Sequence, residues 1–151
     1  MADTGYPLKD ALTNLQTLLD SKKADWSISE VHAYPAYERG VGVNSLCLEI
    51  LSDTRIVATQ FGAPHEFDYE ISIRITYIGP KIRSESQYHN SLDMITNLWI
   101  YLLQNPNPGN FGTLKAVEDM TIGDMELVEG AKVAQASIDV TLHVTKTITE
   151  S

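Results

Sequence analysis

Asp68 and Glu70 lie two residues apart in the run FDYEISIRITYIG (67–79), and Arg74 follows on the same parity. In an extended strand, alternate residues point to one face, so two carboxylates and a guanidinium share a surface. Such a pair could hold a divalent cation that activates water for phosphodiester hydrolysis, with the arginine meeting the phosphate. Nucleases built on a strand of this kind usually carry a lysine two residues after the acid, where this chain has Ser72. The same residues serve equally as solvated side chains on an open sheet face.

Other groups capable of chemistry are scattered. His32, His65, His89 and His143 fall in different elements, without the H-x-x-x-H or Cys/His spacing of a zinc site. Cys47 stands in an alternating strand and reads as a small apolar filler rather than a nucleophile. Gly40-Val41-Gly42 lacks the third glycine and the following helix of a phosphate cradle. Ser27, Ser45 and Ser137 have no nucleophile-elbow context. Trp26, Tyr34, Tyr37, Phe61 and Phe67 gather around irregular segments and fit the anchors of a protein interface. The residues imply no enzyme activity, no metal site and no cofactor.

The elements that must position these groups follow from periodicity. Leu8, Leu12, Leu15 and Leu19 form one helical stripe, with Leu18 beside it, Pro7 at a first helical position and Lys22 and Lys23 at the carboxyl end, which predicts a helix over 7–23. Residues 25–42 hold a short strand candidate at 28–33 and a proline-interrupted turn. Residues 43–51 alternate as a half-buried strand, and 55–61 form a shorter one. The strand at 67–79 puts Phe67, Tyr69, Ile71, Ile73, Ile75 and Tyr77 toward a core, and Gly79-Pro80 ends it. Tyr88, Leu92, Ile95, Trp99 and Leu102 predict a second helix over 84–104, opened by capping-box spacing between Ser84 and Gln87. NPNPG then stops that helix. Residues 125–128 read as a strand candidate, and Ile138, Val140, Leu142 and Val144 mark a last strand within 133–148.

Helix, strands, helix, strands, without internal repeats, predicts a single α+β domain spanning 1–151: a mainly antiparallel sheet with two helices packed on one face and the other face open. One cysteine allows no internal disulfide, and neither a signal-peptide pattern nor an apolar run of about 20 residues is present, so synthesis in a reducing cytoplasm without a membrane partner is expected. Twenty acidic against eleven basic residues give a net charge of −9, which argues against tight nucleic-acid binding. Negative walls do suit a channel through which DNA slides without sticking.

The stretches LKDALTNLQTLL, FDYEISIRITYI, the amphipathic helix from Ser84, NPNPGNFGTL and ELVEGAKVAQASIDVTLHVTK occur in an order that resembles the tail terminator, or tail-completion, proteins of long-tailed bacteriophages. The likeness runs over residues 7–147 and lies in the pattern of elements, so no binding residue is carried over from it. The resemblance implies a virion structural protein of the tail or neck, made in the host cytoplasm. It implies a homo-oligomeric ring, commonly a hexamer, that caps the tail tube, ends its polymerisation and presents a surface to the head completion or connector protein. DNA would pass through the lumen without specific binding. Six copies would carry roughly −54 charges, making assembly sensitive to salt.

On that reading Asp68, Glu70 and Arg74 are expected at a subunit interface or toward the lumen. The loops holding Gly40 and Gly42, Asp53 and Arg55, and Asn107, Pro108 and Asn110 are expected to face partners. Another neck or connector component, and a metal-dependent nuclease using Asp68 and Glu70, are the alternative readings.

Overall fold

The computed structural model describes residues 6–35, 44–60, 65–126 and 132–148. In chain order they form α1 (Pro7–Asp20), β1 (Glu30–His32), β2 (Ser45–Ile50), β3 (Arg55–Gln60), β4 (His65–Lys81), α2 (Glu85–Gln104), a 3-10 turn (Pro108–Asn110), β5 (Thr113–Glu126) and β6 (Lys132–Ile148). The strands make one six-stranded sheet in the order β1-β2-β4-β6-β5, with β3 also pairing β4. Every pairing is antiparallel except β1 with β2. The chain has an α+β fold, as the element order predicts.

β4 is the spine of the sheet. Its first half pairs with β3 and its second with β2, so these two short strands lie end to end along one side. The turn between them is tied down at the junction: Leu51 N–H donates to the Ser72 carbonyl at 2.8 Å, and Ser72 N–H donates to Thr54 Oγ1 at 3.1 Å. Along its other side β4 pairs with β6 over nearly its whole length. The strand does not stop at Gly79-Pro80; pairing continues to Lys81 across an irregularity between Ile78 and Lys81. Tyr77 explains the glycine, because a Cβ at Gly79 would lie 2.8 Å from the Tyr77 hydroxyl.

The core lies between the helices and one sheet face. Leu46, Leu48, Ile71, Ile73, Ile75, Ile138 and Leu142 are completely buried, and they share a side because each has an apolar partner directly across the ladder, as in Leu48 with Ile75 and Ile75 with Ile138. From α1 come Ala11, Leu15 and Leu19, and from α2 Met94, Ile95, Leu98 and Leu102. Each fully buried aliphatic side chain stabilises the fold by about 1.5–3 kcal/mol relative to exposure.

Both helices depart from the expected stripe. α1 ends at Asp20 rather than at Lys23, and Lys22 and Lys23 sit in following turns, ion-paired with Asp25 and Asp20. Leu8 is exposed. In α2 the buried line is Ser91, Met94, Ile95, Leu98 and Leu102, which leaves Tyr88 and Trp99 facing outward. Ser84 Oγ accepts from Gln87 N–H as the capping-box spacing predicts, while Gln87 Oε1 reaches back one residue further and accepts from Arg83 N–H instead of from Ser84.

Candidate functional site

The face of the sheet opposite the helices carries the alternate residues of β2, β4 and β6, and it holds the groups singled out in the sequence. Asp68, Glu70 and Arg74 do share this face. Each is engaged within the chain. Arg74 lies opposite Asp139, donating from Nε to Oδ1 at 2.8 Å and from a terminal nitrogen to Oδ2 at 3.2 Å. These hydrogen bonds hold the guanidinium above its usual pKa, with the Asp139 charge adding to the effect and smaller contributions from Glu49 and Asp53. Glu70 accepts from Arg55 at 2.7 Å, its neighbour across the β3–β4 ladder.

Asp68 belongs to a different group. Thr145, opposite it on β6, donates its hydroxyl to Asp68 Oδ1 at 2.8 Å, and His143 Nε2 lies 3.5 Å from the same oxygen. His143 and Thr145 also line an open, shallow pocket of about 380 Å³ together with Asn107, Phe111, Gly112 and Thr113. Gly112 permits the chain entering β5 to approach β6 closely: a Cβ there would lie 2.7 Å from a Val144 methyl and 2.8 Å from the His143 carbonyl oxygen. Asp68 and Glu70 thus form two separate pairings rather than a converging carboxylate pair. Among the described residues no group of three or more His, Cys, Asp or Glu side chains converges on a common point.

The face is not uniformly open. Ser45, Cys47, Thr76 and Ile78 are buried at its β2 end, where the His32 and Tyr34 rings lie 4.6 Å apart beside them. Burial, with Glu49 nearby, pushes the Cys47 thiol up to about 11. Among the described residues, the charged strip from Asp68 to Arg74 and its partners on β6 are accessible: Asp68, Glu70, Arg74, Asp139 and His143 all retain exposure.

The loops expected to face partners divide. Asp53 and Arg55 are exposed at the β2–β3 turn and the start of β3. Gly40 and Gly42 lie outside the described residues. In the loop after α2, Asn107 is exposed but Pro108 is buried, a correction to its expected outward position. The 3-10 turn packs on α1, where Gly109 stands against the buried Asn14 side chain and Leu114 N–H donates to the Pro106 carbonyl at 2.7 Å. Asn110 closes that turn.

Of the five aromatic residues expected as interface anchors, Trp26 and Tyr34 have described side chains. Trp26 packs edge-on against Tyr101 with ring centroids 5.3 Å apart, whereas Tyr34 sits with His32. Tyr37 and Phe61 lie outside the described residues. Among the described residues, the exposed large apolar side chains are Tyr6, Leu8 and Ile56 at one place, and Tyr88, Trp99, Ile100 and Leu103 along α2. Sequence reasoning assigned Leu8, Tyr88 and Trp99 to the core because their spacing fits a buried stripe. No protein-family model matches the chain, and no curated protein matches it.

Proposed function

We propose that this chain is a structural subunit of a phage tail, a tail terminator that assembles into a ring capping the tail tube, ends the tube's polymerisation and offers the surface that joins tail to head connector. The observation that carries the reading is the charged strip on the open sheet face. Its arginines are neutralised in-chain, Arg74 by Asp139 and Arg55 by Glu70. A wall whose cations are already paired, on a chain of net charge −9, gives DNA phosphates little to hold. That is the property required of a passage through which DNA slides. The order of elements from α1 to β6, with its resemblance to tail terminators, supplies the rest of the support.

On this reading the strip from Asp68 to Arg74 lines the ring's lumen, and the exposed turn at Asp53 and Asn107 belong to its axial surfaces. Negative-stain electron microscopy of the purified protein tests it. Rings with a central opening are expected, together with no retention of double-stranded DNA at physiological salt. Discrete particles without an opening, or tight DNA binding, would count against it.

A further inference from the structure

We draw no further inference here: the strongest candidate, the apolar groove where the first turn of α1 meets the β3–β4 ladder beside Leu8, Ile56 and Tyr69, carries none because nothing in the structure shows what covers it.

Discussion

Arg74 and Asp139 stand directly opposite each other across the β4–β6 ladder, and the guanidinium grips both carboxylate oxygens. A planar fork meeting a carboxylate along two hydrogen bonds is stronger than a single contact, but both side chains retain solvent access, so the pair contributes about 1 kcal/mol. Asp139→Ala should cost about that much in urea unfolding. Arg74→Glu should cost more, because it sets a third carboxylate beside Asp139 and Glu49, and the double exchange Arg74→Glu with Asp139→Arg should recover most of the loss. An unchanged midpoint in Asp139→Ala would show the pair to be energetically idle. Any assembly defect of Arg74→Glu has to be compared with this loss of monomer stability.

Leu98 and Trp99 are neighbours in α2 with opposite fates, one fully buried and one outward. Leu98→Ala removes a core side chain and should cost about 2–5 kcal/mol. Trp99→Ala, at a residue 38% exposed, should cost less than Leu98→Ala in the same denaturant unfolding experiment. Equal losses at both positions would contradict the orientation of α2.

Gly109 adopts φ +63°, and a Cβ there would overlap the Asn14 amide oxygen. Gly109→Ala therefore combines an unfavourable left-handed backbone with a clash against a buried side chain, and should cost about 1–3 kcal/mol. The loop after α2 is thus built into the fold, so removing residues 106–110 should lower thermal stability rather than spare it. A deletion variant melting at the wild-type temperature would show the anchoring to be dispensable.

Cys47 titrates at about 11 in the folded chain, against an ordinary value of 9.0. A pKa raised by folding means that the folded state holds the proton more tightly. Its contribution is fully present below pH 9 and is lost as pH climbs from 9 to 11. The loss is on the order of 2 kcal/mol. Tyr77, raised chiefly by burial, acts in the same direction at alkaline pH. Relative to Cys47→Ser, the wild-type chain should lose stability more steeply over this window, and its thiol should resist alkylation at pH 8 until the protein unfolds. Rapid alkylation of the native protein at pH 8 would contradict the burial.

The strand set at 67–79 was legible because its alternation is sustained and its core-facing residues are all β-branched or aromatic, and the capping pair Ser84 and Gln87 is a local signal that needs no tertiary information. α2 was legible as a helix but not in its rotation. Its sequence is apolar on most sides, so the line through Tyr88, Leu92, Ile95, Trp99 and Leu102 competes with the line through Met94, Leu98 and Leu102, and only the sheet beneath chooses. β5 was missed through most of its length because TLKAVEDMTIGDME mixes charges and glycine without alternation; pairing along β6 makes it a strand. The parallel β1–β2 pair depends on a return of the chain that no local pattern encodes. The charged face was correctly grouped from parity alone. The partners Asp139, Arg55, Thr145 and His143 came from strand register, which joins residues up to 77 positions apart.

Self-assembly into a closed ring is the claim on which the functional reading depends, and native mass spectrometry of the purified chain across a concentration and magnesium series tests it most directly. Magnesium should relieve repulsion among copies of net charge −9 and shift the distribution toward one closed species. A discrete oligomer, six copies by the tail-terminator reading, that strengthens with magnesium is the predicted result. A monomer at every concentration and every magnesium level would contradict it.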